Sequence, residues 1–171
     1  MAVTKPVVLV GPMGVGKSTI GKKLAKRLAT SFIDSDHIFV NRFGDISSFF
    51  ETKGEAAFRA AEEDIILEHL AKPVVLATGG GAVLSEKVRE ALSIALVVYL
   101  YTDGRHLSAR LAGGNRPLIR EGGMQAWRKI YESRKHLYEQ CADLTVDTSG
   151  LGLAQSVEMI VTELEKRELV H

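Results

Sequence analysis

Cysteine and long apolar runs are scarce in this 171-residue chain. Because Cys141 is the only cysteine, no internal disulfide can form, and a reducing compartment fits. We expect Cys141 to be a small buried apolar residue. The longest strongly apolar run, residues 94–101, is far too short to span a bilayer, and the apolar run near residue 1 is too short for a signal peptide. These shortages predict a soluble, cytoplasmic protein without a membrane partner.

An excess of charge of one sign is also missing. The 22 basic residues nearly balance the 21 acidic ones, so no net field would hold a long polyanion, and nucleic acid is not expected as a partner. The sequence has no internal repeat, low-complexity tract or Pro/Ser-rich linker. Its 46% hydrophobic and 25% charged residues are ordinary for a soluble globular protein. We expect one domain over residues 1–171, acting as a monomer.

The chain does contain apolar runs that alternate with helical patterns. Runs rich in Val, Ile and Leu predict buried strands at residues 7–10, 73–78, 94–101 and 144–148, and residues 31–33 are a weaker candidate. Between the runs, apolar residues recur at helical spacing. This order predicts an α/β fold, a three-layer sandwich with a five-stranded parallel sheet. Ligands of such sheets bind beyond the carboxyl ends of the strands.

A phosphate-binding loop follows the first predicted strand. In "VVLVGPMGVGKST", Gly11, Gly16, Lys17 and Ser18 match G-x-x-x-x-G-K-[ST], with a strand before the motif and a helical pattern after it. The glycines allow main-chain N–H groups to turn toward phosphate oxygens, and the helix N-terminus adds its dipole. Lys17 would meet the β- and γ-phosphates, and the Ser18 hydroxyl would reach Mg²⁺. The loop, with Gly14 and Thr19, predicts binding of a nucleoside triphosphate with one Mg²⁺ ion.

Three further features lie near predicted strand ends. Asp34 and Asp36 in "FIDSD" form either a solvated turn or a pair of acids with different partners. The three glycines of "TGGGAVL", residues 78–84, expose main-chain groups and exceed what a turn needs. Arg59 lies three and four residues before Glu62 and Glu63, a spacing that suits a surface salt bridge as well as a binding site.

Taken together, these motifs closely resemble those of the shikimate kinases. "GPMGVGKST", "DSD", "GEAAFRAAE", "GGGA" and "RPL" occur in the order and spacing of that family, and the resemblance extends from residue 7 to about residue 165. It implies the P-loop kinase fold of the nucleoside monophosphate kinases, with a mobile lid. It also implies transfer of the γ-phosphoryl group of ATP to the 3-hydroxyl of shikimate, a step toward chorismate and the aromatic amino acids.

The resemblance gives the two acids separate roles. Asp34 resembles the acid that supports Mg²⁺ beside Ser18. Asp36 resembles the acid that binds the shikimate hydroxyls and orients or deprotonates the attacking oxygen. On this resemblance, different partners are expected for the two acids.

The remaining acceptor residues also follow from the resemblance. Arg59 and Arg134 match the arginines that clamp the shikimate carboxylate, for which a planar guanidinium is suited. Gly80 and Gly81 would contribute main-chain contacts, and Glu62 would orient Arg59. The acceptor-binding helical region is then expected at about residues 34–62.

A lid is predicted at residues 113–123, "GGNRPLIREGG", because paired glycines at both ends can absorb large backbone changes. Arg116 matches the lid arginine that meets the phosphates, and Arg120 matches only weakly. Arg110 matches an arginine that stacks on adenine. Contacts from the loop after the last strand stay unassigned, and Trp127 and the tyrosines are expected to pack in the core.

Other classes of protein share parts of this pattern. Another small-molecule P-loop kinase, such as a gluconate kinase, would share the phosphate loop and should lack the combined "DSD", "FRAAE" and "GGGA" set. A nucleotide-binding regulatory protein is the alternative of a different class. A GTPase switch would carry N-K-x-D, which this sequence lacks, and a silent relative would have lost Lys17 or the metal acid, both of which are present.

Overall fold

The computed structural model describes residues 2–105, 107 and 123–171. Five strands are connected by helices and form an entirely parallel sheet in the order β2-β3-β1-β4-β5. The strands are β1 (Val7–Val10), β2 (Phe32–Asp34), β3 (Val75–Ala77), β4 (Leu96–Tyr101) and β5 (Leu144–Asp147). All five predicted strands are therefore confirmed, with β1 at its predicted bounds and the ends of the others shifted by at most two residues.

Seven α-helices are present among the described residues. They are α1 (Lys17–Arg27), α2 (Ser35–Phe43), α3 (Ile46–Lys53), α4 (Glu55–His69), α5 (Glu86–Ala91), α6 (Gly123–Cys141) and α7 (Leu153–Lys166), with short 3-10 turns at Ala82–Leu84 and Leu92–Ile94. Within the described ranges, no helix is long and apolar enough to cross a membrane.

Successive residues of the central strands are buried in two separate apolar cores, one on each face of the sheet. The sheet and the helices on its two faces therefore form three layers. Val8 of β1 belongs to a cluster with side chains of α4, α5 and α6, and its neighbour Leu9 belongs to a cluster with side chains of α1 and α7. The central strands are therefore buried on both faces, which explains their continuous apolar sequence. Cys141 is only half-buried at the edge of the first cluster, so it is less buried than predicted.

A third, smaller apolar cluster joins α2, α3 and α4. Its centre is Phe39, whose ring lies 4.9 Å from that of Phe49 and 4.8 Å from that of Phe58, in edge-to-face geometry. This cluster connects the three helices that carry the predicted acceptor region, and so it positions the Arg59 side of the site described below.

Candidate active site

A cavity of about 560 Å³ opens at the carboxyl edge of the sheet, where the loops after β1, β2 and β3 meet. Its volume is in the range of small-molecule sites. Most of the predicted site residues within the described chain line it together: Gly14, Gly16, Lys17, Ser18, Thr19, Asp34, Asp36, Arg59, Gly80 and Gly81.

The phosphate loop between β1 and α1 is shaped by its glycines. Gly11 has a φ of +148°, and a Cβ atom there would lie 2.7 Å from the Leu100 carbonyl oxygen. The side chain of Lys17 is largely buried, and its Nζ donates to the carbonyl oxygens of Gly11 at 2.7 Å and Pro12 at 2.9 Å. The ammonium group is thereby held across the loop, next to the positive end of α1, where an anion would be stabilised.

Asp34 lies where β2 ends and α2 begins. Its Oδ2 accepts a hydrogen bond from the Ser18 hydroxyl at 2.5 Å, and its Oδ1 caps α2 by accepting from the Asp36 N–H at 3.0 Å. Both acids were expected near the end of a strand, but β2 ends at Asp34 and only Asp34 lies at that end. Because Asp34 caps the helix, Asp36 lies in the first turn of α2, and the strand-to-helix transition sets its direction.

The Ser18 and Asp34 oxygens form a small, hard donor set at the mouth of the phosphate loop. Throughout the described ranges, no group of three or more His, Cys, Asp or Glu side chains could hold a metal ion. Mg²⁺ in nucleotide sites is commonly bound by one or two protein oxygens, with phosphate oxygens and water completing the octahedron. The donor set fits an ion that arrives with a nucleotide.

On the opposite side of the cavity, Arg59 and Glu62 form an ion pair one turn apart on α4. Arg59 Nη1 donates to Glu62 Oε1 at 2.9 Å. The pair is not a surface salt bridge, because its acid is only 3% exposed. Glu63, the other acid of the motif, instead accepts a hydrogen bond from the Ser85 hydroxyl.

The second oxygen of Glu62 has an unusual environment. Oε2 is buried and has no hydrogen-bond partner within the described chain. Burial raises the pKa of Glu62 to about 7, while the positive charge of Arg59 opposes the rise and the nearby carboxylate of Asp36 adds to it. Arg134 also faces this group and lowers its pKa. Glu62 is therefore an acid that takes up a proton near neutral pH.

The Gly79–Gly81 loop lies directly against these charged groups. A Cβ atom on Gly79 would lie 2.5 Å from Glu62 Oε2 and 2.9 Å from Asp36 Oδ1. A Cβ atom on Gly81 would lie 2.5 Å from Arg59 Nη2. Glycine allows this close approach, since a side chain at Gly79 or Gly81 would displace the acids or the guanidinium group.

Arg134 approaches the same loop from α6. It is 6% exposed and does not line the cavity, yet its Nη1 lies 3.7 Å from the position of a Cβ atom on Gly80. Burial lowers the pKa of its guanidinium group, with the nearby charge of Arg59 acting in the same direction. Two guanidinium groups thus lie near one glycine loop, an arrangement suited to an anion.

Several lining residues could not be predicted from the sequence. Ile46, Phe50 and Phe58 form an apolar wall on the Arg59 side, and only Phe58 belongs to a recognisable motif. Thr148 and Ser149, from the loop after β5 that was left unassigned, line the cavity as well. Polar and small residues in such a loop carry no distinctive pattern.

The predicted arginines of the nucleotide side lie outside the described residues. These are Arg110, Arg116 and Arg120, together with most of the predicted lid at 113–123. Gly123, its last residue, begins α6.

Comparison with known proteins agrees with the geometry. A model of the shikimate kinase family matches residues 13–165. The shikimate kinase of Streptomyces coelicolor is 40% identical over 165 residues, which cover 95% of this chain and 96% of that protein. The shikimate kinase of Francisella tularensis subsp. novicida is also 40% identical, with 98% of each chain covered.

Solved structures give the same result. The shikimate kinase of Acinetobacter baumannii, in complex with shikimate, has a TM-score of 0.89 and 36% identity and covers 96% of this chain and 95% of that one. A gluconokinase from Sinorhizobium meliloti has a TM-score of 0.61 at 18% identity, with 98% of this chain and 99% of that one covered, which shows a shared fold alone. On the full-length sequence matches and this structural likeness, the chain belongs to the shikimate kinase family.

Proposed function

We propose that this chain transfers the γ-phosphoryl group of ATP to the 3-hydroxyl of shikimate, giving ADP and shikimate 3-phosphate. One observation carries the proposal: the phosphate loop and the Gly79–Gly81 loop line the same cavity, with Asp36 and Arg59 beside the second loop. Direct transfer needs the donor phosphate and the acceptor hydroxyl to be held next to each other. A phosphate-binding loop beside a site for an anionic polyol meets this need.

The phosphate loop would bind ATP through the main chain of Gly11, Gly14 and Gly16 and through the side chains of Lys17, Ser18 and Thr19. Lys17 would stabilise the charge on the β- and γ-phosphates as the phosphoryl group moves. From the family motifs alone, Arg116 would join Lys17 on the phosphates and Arg110 would stack on adenine.

Ser18 and Asp34 would hold the one Mg²⁺ ion that accompanies ATP, because their oxygens are hard and adjacent. When bound, this ion would neutralise part of the phosphate charge. Asp34 also fixes the start of α2 through its helix cap, and so it holds Asp36 in place.

The acceptor would lie against the glycine loop. Arg59 and Arg134 would bind its carboxylate, since a guanidinium group can form two parallel hydrogen bonds with a carboxylate. Gly80 and Gly81 would add main-chain contacts, and Glu62 would orient Arg59 through their 2.9 Å hydrogen bond. Asp36 would orient the attacking hydroxyl or accept its proton.

The acceptor is tested by coupled ADP release with ATP and Mg²⁺ in the presence of shikimate, quinate or gluconate. We expect turnover to be highest with shikimate and ADP release without an acceptor to be at background. Faster turnover with gluconate would favour the other small-molecule kinases. Nucleotide binding without acceptor-dependent ADP release would favour a regulatory protein.

A cytoplasmic location and a monomeric state complete the proposal. The single cysteine fits a reducing compartment, in line with the sequence argument.

Asp34→Asn and Asp36→Asn should both lower turnover, but they should differ in their response to Mg²⁺ and in shikimate binding. Asparagine caps helices about as well as aspartate, so the start of α2 should survive at position 34 while the charge beside the metal is lost. Turnover should fall, and added Mg²⁺ should recover part of it. At position 36, shikimate should bind more weakly, transfer should slow by about 10²-fold, and Mg²⁺ should not help.

Steady-state kinetics in both substrates and in Mg²⁺ measure this difference. An identical Mg²⁺ response in both variants would contradict the separate roles.

Glu62 should make stability depend on pH near neutrality. Its pKa is raised to about 7 when folded from an ordinary value of 4.5, so the folded state holds the proton over that interval and stability falls as pH rises through it. The fall should reach about 3 kcal/mol, and Glu62→Gln should remove it.

Urea denaturation at pH 5 and at pH 8 measures this effect. Glu68→Gln on the same helix is the matched control, because Glu68 is exposed and Arg42 lowers its pKa by hydrogen bonding. Its stability contribution should change only at acidic pH, below this interval. The same pH dependence in wild type and Glu62→Gln would show that Glu62 is ionised throughout.

A further inference from the structure

Helix α6 presents four buried residues on one face. Trp127, Tyr131, Arg134 and Tyr138 follow one another at intervals of four, three and four residues, which is the spacing of one helix face. All four are at most 6% exposed. Arg134 already belongs to the proposed acceptor site, which raises the question of what the aromatic residues on either side of it do.

Trp127 bonds to the main chain of the phosphate loop. Its Nε1 donates to the carbonyl oxygen of Met13 at 2.9 Å. Its ring also packs on Gly104, where a Cβ atom would lie 2.7 Å from Cζ3, so the indole is held in one orientation. A buried indole N–H needs an acceptor, and here the acceptor belongs to the phosphate loop.

Tyr138 makes the corresponding bond to the glycine loop. Its hydroxyl donates to the Gly80 carbonyl oxygen at 2.5 Å, and its ring stacks on Tyr99 with centroids 5.4 Å apart. Burial raises the pKa of Tyr138 to about 12, while the charge of Arg134 and its hydrogen bond with the hydroxyl oppose the rise, so the hydroxyl remains a donor at neutral pH. Tyr131 differs, because its hydroxyl pairs with that of Tyr99.

Each of these bonds constrains the N–H group that follows. A peptide unit is planar and trans, so a fixed carbonyl direction also fixes the N–H of the next residue, which points the opposite way. Trp127 therefore constrains the Gly14 N–H through the Met13 carbonyl. Tyr138 likewise constrains the Gly81 N–H through the Gly80 carbonyl.

The two loops also lie next to each other. A Cβ atom on Gly80 would lie 3.5 Å from the Met13 nitrogen. One rigid helix thus bonds to both loops at residues that nearly touch, although Trp127 and Tyr138 are about 16 Å apart along its axis.

We infer that Trp127 and Tyr138 are positioning residues. Trp127 acts on ATP through one peptide unit, and Tyr138 acts on the acceptor through one peptide unit and through its contact with Arg134. Trp127 orients the Gly14 N–H toward a phosphate oxygen, and Tyr138 orients the Gly81 N–H toward the acceptor. Their common helix fixes the spacing between the two. The inference rests on the proposed function, which assigns the phosphate loop to ATP and the glycine loop to shikimate.

The test compares Trp127→Phe, Tyr138→Phe and the control Tyr131→Phe by steady-state kinetics in both substrates. Tyr138→Phe should raise the KM for shikimate by about 5- to 10-fold and leave the KM for ATP within about twofold, as expected for one lost hydrogen bond. Trp127→Phe should raise the KM for ATP by about 5- to 10-fold and leave the KM for shikimate within about twofold. Tyr131→Phe also removes a buried hydroxyl contact, yet it should leave both KM values unchanged. Unfolding midpoints show whether each variant is folded.

Two kinetic outcomes would overturn the inference. One is an equal change of both KM values in Tyr138→Phe and in Trp127→Phe, and the other is a Tyr131→Phe variant that behaves like Tyr138→Phe. Either would mean that Trp127 and Tyr138 contribute only packing. Failure of the proposed function is distinguishable, because it would appear in the wild-type enzyme as absence of turnover with shikimate.

A second measurement covers the case in which a variant does not fold. Trp127 is the only tryptophan of the chain, so wild-type tryptophan emission reports on its bond to the phosphate loop. Titration with ATP and Mg²⁺ should change the emission more than titration with shikimate alone. No response to the nucleotide, under conditions where calorimetry detects its binding, would overturn the role of Trp127.

Discussion

Acidic and basic side chains lie against the main chain of Gly79–Gly81 on several sides. The geometry of the rest of the site depends on this close packing. Glu62 and Asp36 approach Gly79, Arg59 approaches Gly81, and Arg134 approaches Gly80 from another helix. A single methyl group at Gly79 or Gly81 would collide with one of them. The bare main chain therefore allows acids, guanidinium groups and peptide N–H groups to surround one small acceptor.

The parallel sheet brings this loop to the nucleotide. Because β3 pairs directly with β1, the loops that follow these two strands emerge side by side at the carboxyl edge. Helix α6 then bonds to both loops. The arrangement has a cost, since burial opposes ionisation of Glu62, and the ion pair with Arg59 offsets part of it. The buried acid lowers the stability of the fold, and it holds the guanidinium group of Arg59 in place.

The parts of the molecule that have a strong local sequence pattern could be predicted from the sequence. Continuous apolar runs identified the strands because both faces of the sheet are covered, and the phosphate loop is defined by residues that are contiguous in the chain. A helical region was expected at about residues 34–62, but the helix start between Asp34 and Asp36 could not be located, because a capping aspartate and a turn aspartate look alike in sequence. Trp127 and Tyr138 were expected only to pack, since a hydrogen bond to a distant carbonyl leaves no local signal.

The central claim is that the glycine loop holds Arg59 in position for the acceptor, and Gly81→Ala tests it most directly. Gly81 has a φ of −97°, so alanine adds no backbone strain, and its methyl group meets the flexible end of Arg59. The fold should survive while the guanidinium group moves. Calorimetry should show shikimate affinity reduced by about tenfold or more, as for a lost charged contact, with ATP affinity unchanged. Unchanged shikimate affinity in a folded variant would contradict the account.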